Sequence, residues 1–111
     1  MPLSDKDKSY LWDIAQACKE ILEFIEGVSY HQFCETKMIR YAVERQLIVI
    51  GEAANHLSNE FKNSEPDTPW EKVIGMRNII AHEYGEILEE RIWITAKDHI
   101  KPLLDKIQKY L

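Results

Sequence analysis

Apolar residues recur every three or four positions along the first part of the chain, which is the spacing of one face of an α-helix. The series comprises Leu11, Ile14, Ala15, Cys18, Ile21, Leu22 and Ile25. Ser4, followed three residues later by the acidic Asp7, is typical of a helix N-cap, and Gly27 is typical of a helix end. The pattern therefore predicts an amphipathic helix over about residues 5–26.

A second apolar pattern follows Ser29 and Gln32, which are suited to cap a helix that begins at Phe33 or, after a short turn, near Thr36. Its apolar positions are Met38, Ala42, Val43, Leu47, Ile50, Ala53, Ala54 and Leu57, and Ile48 and Val49 widen the stripe until it nearly encircles the helix. Such a helix needs cover on most sides, either at the centre of a bundle or at a subunit interface. The small residues Gly51, Ala53 and Ala54 would let another helix approach closely, and on that ground we expect a homodimer.

The stretch from Asn59 to Asp67, which contains Pro66, predicts a polar connection between helices. Thr68 then predicts an N-cap, with proline in the first helical position and Glu71 in the third. The apolar residues expected to face inward from this third helix are Val73, Ile74, Ile79 and Ile80. Gly85 predicts its end.

A fourth helix is predicted over about residues 87–96, with Leu88, Ile92, Trp93 and Ala96 available for burial. Pro102 disfavours a regular continuation, because proline lacks the N–H and crowds the preceding turn. Either Asp98 caps a new helix with Pro102 in its first turn, or one long helix is kinked. The last apolar series is Leu103, Leu104, Ile107 and Leu111. No segment alternates as a strand does, so we expect an all-α bundle of four to five helices, forming a single domain over residues 1–111.

Composition narrows the class of protein. A net charge of −5 and a pI near 5.3 disfavour a general nucleic-acid coat, which needs many phosphate contacts. A small basic cleft remains compatible with this charge, and its candidate cations are Arg40, Arg45, Lys72, Arg77, Arg91 and Lys97. The longest apolar run, Leu47-Ile48-Val49-Ile50, is far too short for a membrane span, and the N-terminus has no signal-peptide pattern. We expect a cytoplasmic protein without a membrane association.

Two cysteines, Cys18 and Cys34, are too few for a disulfide framework and suggest buried thiols. His31 and Cys34 have the spacing of half a metal site, but no second pair at ligand spacing accompanies them. The chain also lacks a glycine-rich phosphate loop and clustered carboxylates of the two-metal kind. No metal and no cofactor are therefore expected.

The stretch Arg77-Asn78-Ile79-Ile80-Ala81-His82-Glu83-Tyr84 carries the chemistry that an RNA-cleaving site needs. Arginine holds a phosphate with two hydrogen bonds, and histidine moves protons near neutral pH. On a straight helix Arg77 and His82 are about 140° apart, whereas Asn78 is one turn from His82. A symmetric dimer would resolve this separation by bringing two motifs into one cleft.

The same residues also permit a purely structural interpretation. Arg77 could pair with an acidic neighbour, namely Glu71, Glu83 or Glu86, and Tyr84 could be a core aromatic residue with a solvated hydroxyl.

With Pro69-Trp70 and Gly75-Met76 before it, this stretch resembles the signature of HepT-like toxins in the HEPN superfamily. The fixed positions of that signature are occupied by Arg77, Asn78, His82 and Tyr84. The resemblance extends upstream over Tyr41-Ala42-Val43-Glu44-Arg45-Gln46-Leu47 and Ile50-Gly51-Glu52-Ala53. It implies a HEPN-like helical bundle and a ribonuclease toxin of a toxin-antitoxin system, with an MntA-like minimal nucleotidyltransferase as antitoxin. It also implies that this partner adds AMP to Tyr84.

For a metal-independent cleavage of RNA that leaves a 2′,3′-cyclic phosphate, we assign proton transfer to His82 and phosphate binding to Arg77. Asn78 would orient the imidazole or the phosphate, and a second copy of the chain would supply the second acid or base. The alternative is a non-catalytic HEPN adaptor that binds a nucleotide or a nucleotidyltransferase. A third possibility is a structural dimer with an ordinary ion pair at the helix end.

Overall fold

The computed structural model describes residues 3–111, and these residues form helices but no strand. Five helices have nine or more residues: α1 (Asp5–Ile25), α3 (Lys37–His56), α5 (Trp70–His82), α6 (Gly85–Ile94) and α7 (Ile100–Gln108). Two helices have six residues: α2 (Tyr30–Glu35) and α4 (Asn59–Ser64). A π-helical turn, Thr95–His99, joins α6 to α7. The predicted all-α class is confirmed.

The predicted caps of the first two helices are present. The Ser4 hydroxyl accepts the backbone N–H of Asp7 at 3.0 Å, and Gly27 takes a φ of +71° just after α1. Ser29 and Gln32 form a reciprocal capping box at the start of α2. Of the two starts predicted for the second long helix, the one near Thr36 is therefore the closer, because the short helix α2 precedes α3.

Helix α3 lies at the centre of the bundle. It packs against α1 on one side and α5 on the other, and α7 packs on α1. Its buried face consists of Val43, Leu47, Ile50, Ala54 and Leu57 just beyond its end. The central position explains why the apolar stripe of this helix is so wide.

The close helix approach predicted at Gly51 is made within the same chain. A Cβ atom built on Gly51 would lie 3.2 Å from the carbonyl oxygen of Val73 and 3.3 Å from that of Ile74, both on α5. Ala53 and Ala54 are also buried in this bundle. These small residues consequently give no argument for a homodimer, which stays a prediction.

The segment between α3 and α5 contains a short helix that was not predicted, and the predicted cap of α5 was wrong. Residues 59–64 form α4, because the Ser58 hydroxyl caps the helix by accepting the N–H of Phe61 at 3.1 Å, and the buried Phe61 ring anchors it. Thr68 does not cap α5. Pro69 occupies the N-cap position, and the Thr68 hydroxyl oxygen is buried without a hydrogen-bond partner in the described chain.

The C-terminal third of the chain agrees better with the prediction of one long, kinked helix than with that of a new helix capped by Asp98. The backbone stays in the right-handed helical region from Ile94 through the π turn to Ile100. Asp98 lies inside the turn and provides no side-chain cap, and Pro102 falls in the first turn of α7. Leu111, the last residue of the predicted apolar series, lies beyond the end of α7 and is 48% exposed. No described helix combines the length and the apolar character needed to cross a membrane.

Asp7 ties the start of α1 to the loop between α3 and α4. Its carboxylate accepts the backbone N–H of Ser58 at 2.8 Å and the Ser58 hydroxyl at 2.6 Å, and the residue is only 5% exposed. Burial by itself raises the pKa of this carboxyl, but the hydrogen bonds from Ser58, together with Ser4 and the charge of Lys6, outweigh it, so the pKa falls below the usual 3.8.

Alanine substitutions at two helical glycines should have opposite consequences. Gly75 has no atom within 4 Å of an added Cβ, so Gly75→Ala should raise the free energy of unfolding by about 0.5–1 kcal/mol. Gly51→Ala should lack this gain because its methyl group meets two backbone carbonyls, and Gly51→Val should cost about 1–3 kcal/mol. Urea unfolding measures both, and an equal gain at both positions would contradict the close contact.

Replacing Asp7 should make the free energy of unfolding less sensitive to acidic pH. At pH 7, Asp7→Ala should lower the free energy of unfolding by about 1–3 kcal/mol, because the N–H and hydroxyl of Ser58 lose their charged acceptor. The folded pKa is depressed, so this contribution is present above the usual pKa and is lost as the pH falls through the folded pKa. The gap between wild type and variant should therefore narrow below pH 3.8. Glu20→Ala on the exposed side of α1 is the control, and a gap that stays constant would rule out this account.

Candidate functional site

The motif identified in the sequence lies at the corner between α5 and α6. Arg77, Asn78 and His82 occupy the last two turns of α5 and are exposed. Tyr84 follows in an extended conformation just beyond the end of α5 and is 79% exposed. The interpretation of Tyr84 as a core aromatic residue is therefore wrong.

Gly85 makes this sharp corner possible. Its φ of +66° lies in the left-handed region, where a side chain would be strained. The helix that carries the motif ends at His82, and Gly85, which was expected to mark that end, is the first residue of α6. Tyr84 is consequently displayed on the short extended link between the two helices.

Arg77 forms an ion pair with a residue that is distant in the sequence. Its Nη1 donates to Oε1 of Glu52 on α3 at 2.6 Å. The two side chains are 65% and 45% exposed, so water and salt weaken their attraction. None of the acidic neighbours considered from the sequence pairs with Arg77 in the described structure. The only sequence signal for Glu52 was its place in the upstream block Ile50-Gly51-Glu52-Ala53.

His82 and Arg77 are not brought together within one chain. Since α5 is helical through both residues, they project about 140° apart. In the part of the chain that the structure describes, no hydrogen bond or ion pair links His82 to Arg77 or to Asn78. A single chain thus presents the cation and the imidazole on different sides of the same helix.

Ion pairs hold the corner in place from the side of α6. Glu83 Oε2 lies 3.3 Å from Nε of Arg91, across the corner itself. Arg40 joins α3 to α6 through Glu89 at 3.1 Å and also pairs with Glu44 at 3.0 Å. Burial raises the pKa of Glu44 although Arg40 opposes it. Arg40 is therefore a structural residue rather than part of an exposed cleft.

The other candidate cations are spread over different surfaces. Arg45 and Glu52 line the same shallow hollow of about 210 Å³ between α1 and α3. Lys72 and Arg91 line a larger groove, and the Lys97 ammonium lies 5.5 Å from the centre of the Trp93 ring. Arg45 therefore shares a hollow with Glu52, whereas Arg77 pairs with Glu52 directly.

A groove of about 710 Å³ runs between α5 and the α6–α7 segment and is lined mainly by apolar side chains, among them Leu47, Met76 and Leu103. None of Arg77, Asn78, His82 and Tyr84 lines it. We place the candidate site at the corner, because the groups able to bind phosphate and transfer protons lie there.

Neither cysteine suggests an additional reactive site. Both are free thiols, Cys18 buried and Cys34 half-buried. Burial raises the pKa of Cys18 to about 12, which keeps it protonated and unreactive near neutral pH. Among residues 3–111, no three side chains of histidine, cysteine, aspartate or glutamate are grouped so that they could hold a metal ion.

Comparison with known proteins gives the same family over nearly the whole chain. The family model described as "Ribonuclease HepT-like" matches residues 14–110. A relative from Methanocaldococcus jannaschii, named "Putative RNase MJ1380", is 35% identical over 96% of this chain and 98% of its own length. "Probable ribonuclease HepT" from Thermococcus cleftensis is 36% identical over 92% of this chain and 93% of its own length.

A further M. jannaschii relative, "Putative RNase MJ0127", is 36% identical over 100% of this chain and 91% of its own length. No solved structure matches the chain significantly. The family match covers α3, α5 and the α5–α6 corner, which are the elements that carry Glu52, Arg77, His82 and Tyr84. The chain therefore belongs to the HepT-like ribonuclease family.

Proposed function

We propose that this protein is an endoribonuclease toxin that cleaves RNA without a metal ion, using Arg77 and His82. The observation that carries the proposal is the exposed α5–α6 corner, on which an arginine, a histidine and a tyrosine stand in the spacing of the HepT-like signature. Membership in a ribonuclease family supports the same activity.

In the proposed reaction the 2′-oxygen of a ribose attacks the adjacent phosphorus, and the bond from phosphorus to the 5′-oxygen breaks. The products are a 2′,3′-cyclic phosphate and a free 5′-hydroxyl group. His82 either takes the proton of the 2′-hydroxyl or gives one to the leaving oxygen. Arg77 stabilises the charge that develops on the non-bridging phosphate oxygens. Asn78, one turn from His82, orients the imidazole or the phosphate once RNA is bound.

A homodimer is part of this proposal. The reaction needs one group to accept a proton and another to donate one, and each chain has a single imidazole at the corner. A two-fold axis near the corner would bring two histidines and two arginines to one phosphodiester. The separation of Arg77 and His82 around α5 supports this arrangement.

The proposed antitoxin is an MntA-like minimal nucleotidyltransferase that transfers AMP from ATP to Tyr84, with release of pyrophosphate. The high exposure of Tyr84 supports this role, because its hydroxyl is accessible to another enzyme. An AMP group at this position would add bulk and negative charge beside the motif. It would compete with RNA phosphate for Arg77 and repel the RNA backbone.

Substitution of His82 should abolish cleavage without unfolding the protein. His82→Ala should lower the cleavage rate about 100- to 10,000-fold, as removal of a general acid or base does. The measurement is cleavage of total cellular RNA by unmodified protein in the presence of a chelator, with identification of the end groups. His31→Ala, which changes another exposed histidine, is the matched control.

Equal cleavage by His82→Ala and wild type would refute the assignment of His82. Activity that disappears in the chelator and returns with a divalent cation would refute metal independence. Absence of cleavage by unmodified wild type, together with binding of a nucleotidyltransferase that survives Arg77→Ala and His82→Ala, would favour the adaptor function.

Addition of AMP should depend on the hydroxyl group of Tyr84. On coexpression with a neighbouring nucleotidyltransferase, wild-type protein should gain the mass of AMP, whereas Tyr84→Phe should not. Tyr30→Phe, at a tyrosine that is 40% exposed, is the control and should be modified like the wild type. AMP on Tyr84→Phe, or none on the wild type, would overturn the assignment.

A further inference from the structure

Helix α3 has an outer face that the other helices of residues 3–111 leave partly open, with Tyr10 and Asp13 of α1 along one edge. This α3 outer face consists of Tyr41, Arg45, Ile48, Val49, Glu52 and His56. By the helical period it lies opposite the buried residues such as Leu47 and Ala54. Tyr41 is 52% exposed, and the side chains of Ile48 and Val49 are only half-buried.

The residues of this face are arranged symmetrically about its midpoint. Counting outward from between Ile48 and Val49, the first charged residues reached are the cation Arg45 in one direction and the anion Glu52 in the other. The distances along the chain are equal on both sides. A second copy of the helix running in the opposite direction would therefore set each arginine against a glutamate.

We infer that a second copy of this chain docks antiparallel on the α3 outer face, where its Arg45 engages Glu52 and thereby releases Arg77. Ile48 and Val49 form the apolar centre of the contact, and the charge pair occurs twice because of the two-fold axis. Farther out, Tyr41 of each copy meets His56 of the other, whose ring already stacks on Tyr10 at 5.1 Å between centroids.

The symmetry also decides where the two motifs lie. When two helices pack face to face and antiparallel, the two-fold axis lies in the interface, perpendicular to both helices. Helix α5 flanks α3 on one side, so both copies of α5 flank the same edge of the pair. Arg77 lies level with Glu52, and the partner's Arg77 lies level with Arg45. Along α3 the two guanidinium groups are thus offset by about 10 Å.

Pairing would change the state of the candidate site. In the single chain, Glu52 occupies Arg77 through the 2.6 Å ion pair. The partner's Arg45 competes for the same carboxylate, and this competition frees the Arg77 guanidinium group to bind an RNA phosphate. This consequence rests on the proposed ribonuclease function, whereas the contact itself does not require RNA.

The test is a charge exchange, read out as oligomeric state by sedimentation equilibrium in the absence of RNA. Arg45→Glu and Glu52→Arg each place like charges together at both ends of the contact and should weaken dimerisation about tenfold or more. The double variant restores opposite charges and should dimerise nearly as the wild type does. Lys101→Glu on α7 reverses an exposed charge away from this face and should have no effect.

A second pair of variants distinguishes this face from the large groove. Ile48→Asp should abolish dimerisation, whereas Ile94→Asp, at a 41% exposed residue that lines the groove, should leave it intact. Circular dichroism and the unfolding midpoint establish that each variant is folded. If Ile94→Asp abolished dimerisation and Ile48→Asp did not, the contact would lie in the groove and not on the α3 outer face. A wild type that stays monomeric would also overturn the inference, as would a double charge variant in which dimerisation is not restored.

The cleavage assay separates this inference from the ribonuclease proposal. Charge exchange that rescues dimerisation, in a protein that never cleaves RNA, would uphold the contact and remove only the proposed activity. Undiminished cleavage by the monomeric Arg45→Glu variant would uphold the activity and refute the release of Arg77. If both proposals hold, the specific activity of the wild type rises with the fraction of dimer.

Discussion

Helix α5 carries most of the motif, and its position depends on the missing side chain of Gly51. The carbonyl oxygens of Val73 and Ile74 approach the Gly51 backbone so closely that even a methyl group would lie 3.2–3.3 Å from them. This contact brings α5 against the central helix one turn before Arg77. Because Glu52 follows Gly51 directly, the same contact places its carboxylate next to the Arg77 guanidinium. Packing and site electrostatics are therefore set by one local approach of two helices.

The ion pair that results has two opposite effects on an RNA site. It holds the arginine in a defined place, and it also neutralises the charge that would attract a phosphate. Both side chains are substantially exposed, so the pair is weak enough to be exchanged at little cost. In a chain with a net charge of −5, any local gain of positive potential depends on how such acidic partners are arranged. A carboxylate beside the motif is consequently a natural point of control.

The elements predicted best from the sequence are those specified by local chemistry. The amphipathic period of α1 and the caps at Ser4 and Ser29 depend on residues within a few positions of one another, and these predictions are confirmed. Helix α4 was missed because it buries a single aromatic residue, Phe61, and because the nearby Pro66 suggested a loop. Its available signal was Ser58, which stands three residues before Phe61 as an N-cap does.

Features that depend on how distant segments pack could not be predicted from local sequence patterns. Thr68 has the sequence of a cap, yet the chain enters α5 with its hydroxyl buried and Pro69 at the N-cap position. The motif was readable as a set of residue types, and its position at a helix end followed from Gly85. The pair of Arg77 with Glu52 joins residues 25 positions apart, so only the packing of α3 against α5 reveals it.

The wide apolar stripe of α3 had two explanations, a central helix and a subunit interface. The structure shows the central helix, and the second explanation is the one that we infer for its opposite side. Its inner face is buried in the bundle, while Ile48 and Val49 on the opposite side are half-buried between charged residues of opposite sign. An apolar centre flanked by complementary charges favours association of limited strength, because the exposed charges contribute more to orientation than to affinity. If the two copies meet there, a reversible contact between chains controls whether the Arg77 guanidinium is free to bind a phosphate. Two-fold symmetry then lets a small chain build one site from two copies of its motif.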